Sequence, residues 1–499
     1  MIKYIGITIG PIIETLNEAS SPAQLWFAST MFSDLTRRLC TTILERLQNV
    51  KIISPYYKED IPDDDGVGKF HDRIIFTMDQ NIESNDELKE KLDSMIKNEK
   101  EATLCHFPDS IRQLNEDFME QFLQIRYLIH DFEEKKEASS CVKKMNHYLN
   151  AIEFIQTFPK DTENNIIRKM FSNKDAMEQG SRNTYIHQSS LFRRINLEKK
   201  KNFVTDSHFK TVSEIARCGK ESSSPYKRED YFAVVQADGD HITKVLEKKK
   251  TEDEILDFSQ KCFEYAMNAA ELVNQFGGMM IYAGGDDLLF LAPVVNEKGE
   301  LIFQLCQDIQ KEFSSKVQGT LSFGISIQYH KFPLYEALNN ARSLLFGVCK
   351  EEEDTRNGVA VYLQKHSGKA YKLFIPNEKM DVLLELLKLE LAEDEKSFSG
   401  LIRSLRVHKR LITILDKKVV QENIILDDYQ NIWSNFFDHP EQQKYKEIQD
   451  KIASTYFEEL KDQSSRKIWI ISSKQKEDER IDSLISVLRV KSFLLERKD

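Results

Sequence analysis

The sequence predicts a mixed α+β protein with two small sheets, each flanked by helices, and long helical segments elsewhere. Three observations lead to this class. Runs of β-branched and aromatic residues occur in two separate parts of the 499-residue chain. In each part they alternate with helix-like stretches in the order of a ferredoxin-like unit. Hydrophobic residues make up 40% of the chain, which is enough apolar material for several cores.

The first group of strands opens the chain. Residues 2–9 predict a buried strand, and a helix is predicted from Ser21 to Leu47. Further strands are predicted at 51–53 and 72–78. This β-α-β-β order predicts half of a ferredoxin-like unit, assigned to an N-terminal palm-like domain of residues 1–100.

The second group predicts a complete β-α-β-β-α-β unit, assigned to a palm domain of residues 228–375. Its strands and helices are predicted at 231–237, 251–276, 279–283, 288–294, 299–316, 319–329, 334–348 and 359–363. The residues between the two groups are interpreted as a helical insertion and linker over 101–227. In the last part of the chain the apolar residues recur at helical spacing, which predicts a C-terminal helical bundle over 376–499.

Charge and cysteine usage narrow the function classes. The chain carries 70 basic and 81 acidic side chains, a formal net charge of −11, so any nucleic acid must be contacted through local basic patches. Its 7 cysteines show no paired spacing, which argues against a disulfide framework and predicts no zinc site. No signal peptide or membrane-length apolar run is recognisable, so a cytoplasmic protein without a membrane partner is expected.

Four carboxylates are expected to meet at one edge of the second sheet. Asp286 and Asp287 follow two glycines in a turn between apolar strands, and Asp238 and Asp240 end the first strand of the unit. The third strand of such a unit lies beside and antiparallel to the first, so its start is level with the end of the first. Carboxylates brought together in this way suit two Mg²⁺ ions, or Mn²⁺. The alternative is a polar hairpin with an acidic tip.

Several segments around these carboxylates, and others near the N-terminus, carry a family resemblance. They are Tyr231–Asp240, Ala283–Leu289, Ser322–Ile325, His330–Leu334, Ala341–Leu345, Gly10–Ile13 and Leu25–Ser29. Together, and in their order along the chain, these segments resemble the large palm-domain subunit of type III CRISPR effector complexes, specifically the Cmr branch. Ala283–Leu289, Ala-Gly-Gly-Asp-Asp-Leu-Leu, is similar to the nucleotidyl-cyclase signature of that family.

The resemblance implies an enzyme that binds ATP and transfers AMP to a hydroxyl with release of pyrophosphate. The implied catalytic residues are Asp238, Asp286 and Asp287, which with Asp240 would hold the metal ions. Nucleotide-binding candidates are Gly284 and Gly285, which let ATP approach the turn, and the phosphate-binding side chains Lys244, Arg342 and Lys350. For each of the three cations a solvated surface role is the alternative.

The resemblance also implies a product and partners. The product would be cyclic oligoadenylate, a second messenger of antiviral defence, and the alternative acceptor of AMP is S-adenosylmethionine. The partners would be other Cmr effector subunits, with guide RNA and target RNA reached through the complex. Basic stretches that suit RNA are Arg193 and Arg194 with Lys199–Lys201, and a set spaced to share one helical face, Arg403, Arg406, Lys409 and Arg410. A solvated charged face is the alternative for each.

Two departures from the family limit the expected activities. The chain begins at the first palm strand, so no HD nuclease domain is expected, and the dipeptides at His71 and His130 are interpreted as chance. The cysteine zinc knot of some relatives is missing, so DNA cleavage and structural zinc are not expected. Two other hypotheses stay open. One is a catalytically silent scaffold, and the other is a stand-alone diguanylate cyclase, against which the Gly-Gly-Asp-Asp turn and the two palms argue.

Overall fold

A computed structural model describes most of the chain. The described residues are 2–17, 19–58, 67–79, 84–105, 123–133, 136–154, 210–219, 225–351, 353–388, 395–422, 424–435, 446–462 and 479–498. They fall into two compact units. The first unit comprises Met1–Thr211, His241–Ala270 and Met280–Leu288, and the second comprises Val212–Asp240, Glu271–Met279 and Leu289–Asp499.

The first sheet has four strands in the order β2-β3-β1-β4. The strands are β1 Ile2–Gly10, β2 Val50–Ser54, β3 Arg73–Asp79 and β4 Gln124–Phe132. The central strand β1 pairs antiparallel with both β3 and β4, and β3 pairs antiparallel with β2. This is the strand order of a whole ferredoxin-like unit, where the sequence predicted half of one.

Helices pack beside this sheet. They are α1 Ile12–Asn17, α2 Pro22–Arg46, α3 Asn85–Cys105 and α4 Ala138–Glu153. The start of α2 agrees with the prediction, because Ser21 is its N-cap and accepts a hydrogen bond from the Gln24 amide at 3.3 Å. The domain boundary predicted at residue 100 lies within α3, and β4 joins the first sheet beyond it. The helical character predicted for the insertion over 101–227 is therefore wrong at β4.

The second sheet has six strands in the order β10-β9-β8-β5-β7-β6. They are β5 Tyr231–Asp240, β6 Met279–Gly284, β7 Asp287–Pro293, β8 Thr320–Tyr329, β9 Gly358–Gln364 and β10 Ala370–Pro376. β5 pairs antiparallel with β8, and β9 extends the sheet in parallel with β8. The run β8-β5-β7-β6 has the predicted ferredoxin-like order, whereas β10 was not predicted.

The remaining described helices follow the chain through and beyond the second sheet. They are α5 Val212–Ala216, α6 Ile242–Leu246, α7 Glu252–Gln275, α8 Ile302–Val317, α9 Leu334–Leu344, α10 Met380–Lys388, α11 Glu395–Val407, α12 Lys409–Glu422, α13 Leu426–Ser434, α14 Lys446–Lys461 and α15 Glu479–Leu495. One π turn, Leu345–Cys349, continues α9. The helical character predicted after Pro376 is confirmed for the described residues.

Three further sequence-based expectations concern two basic stretches and the absence of a membrane-spanning helix. The basic stretch from Arg193 to Lys201 lies outside the described residues. Arg403 and Arg406 belong to α11, whereas Lys409 and Arg410 open α12, so the second basic set spans two helices instead of one. Among the described helices, none combines the length and the hydropathy needed to cross a bilayer.

Candidate metal centre and nucleotide site

Three of the four predicted metal ligands lie together. Asp238 is near the end of β5, Asp287 is the first residue of the neighbouring strand β7, and Asp286 directly precedes it. Each offers a carboxylate oxygen within 4.8 Å of the other two. Asp238 and Asp286 are half-buried and Asp287 is exposed. Negative charges at this spacing repel one another, and a divalent cation with a preference for oxygen ligands would offset that repulsion.

The turn before these carboxylates requires its two glycines. Gly285 has φ +68°, in the left-handed region that glycine adopts without strain. A Cβ atom added to Gly284 would overlap the hydroxyl end of the Tyr282 side chain. The missing side chain of Gly284 therefore makes room for Tyr282, and the role of the two glycines in the approach of ATP stays a prediction.

Asp240 lies outside the cluster and is held by β8. Its carboxylate accepts hydrogen bonds from Ser322 Oγ at 2.8 Å, Thr320 Oγ1 at 2.9 Å and the Asn357 amide at 2.9 Å. The side chain is fully buried. Nor does it cap α6, because the residue before that helix is His241, at φ +58°. The structure therefore gives Asp240 a bonded position apart from the other three predicted ligands.

Lys350 is the predicted phosphate-binding side chain that contacts these aspartates. It forms a close ion pair with Asp238, donates to the Gly239 carbonyl at 2.7 Å and lies 3.4 Å from Asp240 Oδ1. The lysine follows the π turn directly, so this irregular turn sets its place. A second cation, Arg356, lies 4.0 Å from Asp240 Oδ1 and was missed in the sequence, where nothing distinguishes it from a loop arginine.

The other two candidate cations have different surroundings. Lys244 is exposed on the short helix α6. Arg342 is half-buried on α9, and its guanidinium carbon lies 5.8 Å from the ring centroid of Phe346. The structure thus joins Lys350 to the carboxylates and places Arg342 over an exposed aromatic ring.

Burial and nearby charges shift the pKa values of two further side chains near the turn, Tyr282 and Asp72. The pKa of the Tyr282 phenol is raised well above its usual value by burial first, and then by the charges of Asp287, Asp72 and Asp286. Burial also raises the pKa of Asp72, the charge of Arg73 opposes this shift, and the charge of Glu153 adds to it. No role was predicted for Asp72 or Glu153 from the sequence, because their proximity depends on tertiary packing.

His71, interpreted in the sequence as part of a chance dipeptide, lies beside the turn. Its Cδ2 atom is 3.9 Å from the position that a Cβ of Gly285 would take. Its Nδ1 accepts from the Arg73 amide at 3.4 Å, and its Nε2 lies 3.1 Å from Ser54 Oγ. Burial, followed by the charge of Arg73, lowers the pKa of this imidazole to about 4, so it is neutral near pH 7.

Comparisons with known proteins agree with the predicted resemblance. Residues 231–360 match the family model "Cas10/Cmr2, second palm domain", and residues 4–114 match "CRISPR-associated protein Cmr2, N-terminal". A curated relative, the CRISPR system Cmr subunit Cmr2 of Pyrococcus furiosus, is 29% identical over 203 residues. That match covers 35% of this chain and spans 23% of the length of the relative.

Solved structures share the fold at low identity. A type III-B Cmr-beta structure in the apo state has a TM-score of 0.53 at 12% identity, covering 84% of this chain and 77% of that chain. A Csm1-Csm4 cassette in complex with AMPPNP has a TM-score of 0.52 at 13% identity, covering 91% and 70%. Residues 4–114 and 231–360 thus match domain models of the Cas10/Cmr2 family, and the resemblance predicted from the sequence is confirmed.

Proposed function

We propose that the chain transfers AMP from ATP to a hydroxyl, with release of pyrophosphate, as the catalytic subunit of a type III CRISPR effector complex. The product would be an adenylate second messenger, with cyclic oligoadenylate as the first choice. The observation that carries this proposal is the meeting of Asp238, Asp286 and Asp287 in a sheet of the second palm domain. A carboxylate cluster of this kind suits a metal-dependent phosphoryl transfer.

Each part of the site has a role in this reaction. Asp238, Asp286 and Asp287 would hold the divalent cations, which when bound would lower the pKa of the attacking hydroxyl and neutralise the triphosphate. Lys350, now shared between Asp238 and the Gly239 carbonyl, would donate to a phosphate oxygen as a point charge. Its ammonium carries three donors, so it can keep the carbonyl while it takes the phosphate.

The solved relatives support the choice of nucleotide and partners. Two Csm1-Csm4 cassettes were solved in complex with AMPPNP and with cA4, and a type III-B Cmr-beta structure was solved bound to cognate target RNA. By analogy, ATP is the proposed substrate of this chain. Other Cmr subunits, guide RNA and target RNA are its proposed partners.

The test is mass spectrometry of the products of the assembled complex with target RNA, ATP and Mg²⁺. The double variant Asp286→Ala/Asp287→Ala should abolish the adenylate product and pyrophosphate while RNA binding survives. Asp427→Ala/Asp428→Ala is the matched control, because it removes two adjacent exposed aspartates on α13. Full activity of the first variant would refute the metal assignment. No turnover by the wild-type complex would favour the catalytically silent scaffold.

A second acceptor, S-adenosylmethionine, is the alternative that the resemblance implies. Mass spectrometry of the products formed with ATP alone and with ATP plus S-adenosylmethionine separates the two acceptors. A conjugate of AMP and S-adenosylmethionine in the second mixture would identify this acceptor, and oligoadenylate alone in both mixtures would exclude it.

A further inference from the structure

We propose that a short segment of the first palm, Val67–Phe70, positions the catalytic turn, residues 284–287, and that Ser33 on α2 sets the place of this segment. We call Val67–Phe70 the strap. The inference rests on the proposed function, because it assigns positioning residues to the same reaction. All the contacts that carry it lie within the first compact unit.

The strap adds a short parallel pairing to β6, the edge strand of the second sheet. Gly68 forms a parallel bridge with Tyr282. The Ala283 amide donates to the Gly68 carbonyl at 2.9 Å, and the Gly68 amide donates to the Ile281 carbonyl at 3.4 Å. Ala283 directly precedes the Gly-Gly turn. The last backbone amide before the turn is therefore held by a residue of the first palm.

A buried hydroxyl fixes the strap to α2. Ser33 Oγ accepts hydrogen bonds from the Lys69 amide at 2.8 Å and from the Phe70 amide at 2.9 Å. Ser33 is 5% exposed and Lys69 is 6% exposed, so water does not readily replace this acceptor. Removal of the hydroxyl would leave two buried amides without it, and the strap would then move towards other acceptors.

The structure leaves no space for a side chain at Gly68. A Cβ atom added there would lie 2.5 Å from Ser29 Oγ and 3.4 Å from the Ile281 carbonyl oxygen. Ser29 is itself 4% exposed, and its hydroxyl has no hydrogen-bond partner among the described residues. The obstacle on the α2 side is therefore a single oxygen atom, which can be removed without loss of a hydrogen bond.

The C-terminal end of the strap also lies beside the catalytic palm. The ring of Phe70 lies 6.3 Å from that of Phe263 on α7, centroid to centroid. His71, the next residue in the chain, lies beside Gly285 of the turn. A shift of the strap would therefore displace the turn at Ala283 and at Gly285 together. Misplacement of reacting groups by ~1 Å can cost on the order of 10²-fold in rate.

The test is a compensating pair of substitutions in the full chain within its complex. Gly68→Ala should lower the kcat of AMP transfer by ~10- to 100-fold, with the KM for ATP changed less than the kcat. Ser29→Ala alone should behave as the wild type, because its hydroxyl makes no hydrogen bond among the described residues. Gly68→Ala/Ser29→Ala should recover most of the lost rate, because the clashing oxygen is gone.

Two readouts separate this inference from the proposed function. Hydrogen exchange of the Ala283 amide should be faster in Gly68→Ala and slow again in the double variant. Mn²⁺ binding, followed by electron paramagnetic resonance, should weaken and recover in parallel. If the wild type transfers no AMP, the proposed function fails, and the Mn²⁺ and exchange measurements still decide whether the strap positions the turn.

The inference is overturned if Gly68→Ala keeps wild-type turnover, Mn²⁺ affinity and Ala283 exchange. It is equally overturned if the double variant stays as impaired as Gly68→Ala. Should Gly68→Ala fail to fold, Ser33→Ala takes its place. Its control is Thr36→Ala, since the Thr36 hydroxyl donates to the Phe32 carbonyl within α2.

Discussion

Asp238 and Asp240 lie two positions apart on β5 and yet have different surroundings. Their neighbours on β8 are Ser322 and Thr320, whose hydroxyls both donate to Asp240. Asp238 instead meets the two aspartates of the turn. Sequence spacing makes the two residues equivalent, because strand neighbours at i and i+2 share a face. The difference arises from the loop amide of Asn357, which also donates to Asp240 and whose position no local pattern predicts.

This contrast leads to a stability prediction. Asp240→Asn replaces one acceptor oxygen with a donor and removes a buried charge beside Lys350, so it should lower the free energy of unfolding by about 3 kcal/mol. Asp287→Asn, at an exposed position, should leave the metal-free protein as stable or make it more stable by reducing repulsion. Urea unfolding in a chelator measures both. Equal effects of the two substitutions would contradict the assigned environments.

The position of His71 beside the turn depends on the fold of the whole first sheet and could not be predicted from the local sequence. Its dipeptide with Asp72 carries no spacing that predicts a site, and it was interpreted as chance. The structure places the imidazole against Gly285, with both ring nitrogens in contact with neighbours. The signal available in the sequence was its position at the start of a buried strand, which is too common to single it out.

At the scale of elements, the strands were predicted where the pattern of apolar residues was strong, and they were missed where polar residues interrupted it. In β4, Ile125, Tyr127 and Ile129 pack on one core and Leu128 packs on the other. Arg126, His130 and Asp131 are interspersed among them, and charged helices flank the strand in the sequence. The segment was therefore predicted to be helical, because its polar residues interrupt the alternation typical of a strand. Pairing with β1 stabilises the strand, and that long-range contact cannot be read from the segment itself.

The π turn after α9 is the element that brings Lys350 to the carboxylates. Gly324 on β8 permits this, because a Cβ there would overlap the Ala341 carbonyl and lie 2.7 Å from the Leu345 amide nitrogen. The backbone of the helix thus approaches the sheet more closely than any side chain on Gly324 would allow. The sequence predicted a continuous helix over 334–348 and could not predict the π turn, which depends on this contact.

Gly324→Ala should therefore push the π turn away from β8. We expect a loss of about 1–3 kcal/mol in the free energy of unfolding, as for other overpacked sites, together with a raised KM for ATP as Lys350 moves. Gly347→Ala, within the same turn, has open space around its added Cβ and should be neutral or stabilising by up to about 1 kcal/mol. Steady-state kinetics and urea unfolding check both variants. A raised KM in Gly347→Ala alone would contradict the role given to Gly324.

At the scale of the whole molecule, the two-sheet α+β class, the strand order of the second sheet and the site at its edge were predictable from the sequence. They follow from strand patterns, a motif and one topological rule. What was not predictable depends on contacts between distant segments: the completion of the first sheet, the strap beside β6 and the environment of Asp240. The residues 155–209 of the predicted insertion lie outside the described residues.

The net charge of −11 restricts how the molecule can bind RNA. In the helical C-terminal part, Arg403, Arg406 and Arg410 are exposed, whereas Lys409 donates to Asp482 at 2.7 Å. If the three arginines contact single-stranded phosphates, their joint replacement by Gln should reduce the slope of log K against log salt by about 2, since each contact contributes ~0.7. RNA titrations of the complex at several salt concentrations measure this slope. An unchanged slope would identify the three arginines as a solvated face.

Asp238 is proposed to bind a metal ion during AMP transfer, whereas Asp240 is not. Asp238→Cys replaces a hard oxygen ligand with a soft thiolate, which disfavours Mg²⁺ and favours soft cations such as Cd²⁺. The decisive measurement is pyrophosphate release by the assembled complex in Mg²⁺ with and without added Cd²⁺. We predict that Asp238→Cys is inactive in Mg²⁺ and regains activity with Cd²⁺, whereas Asp240→Cys gains nothing from Cd²⁺. Wild-type activity of Asp238→Cys in Mg²⁺ alone would contradict the account.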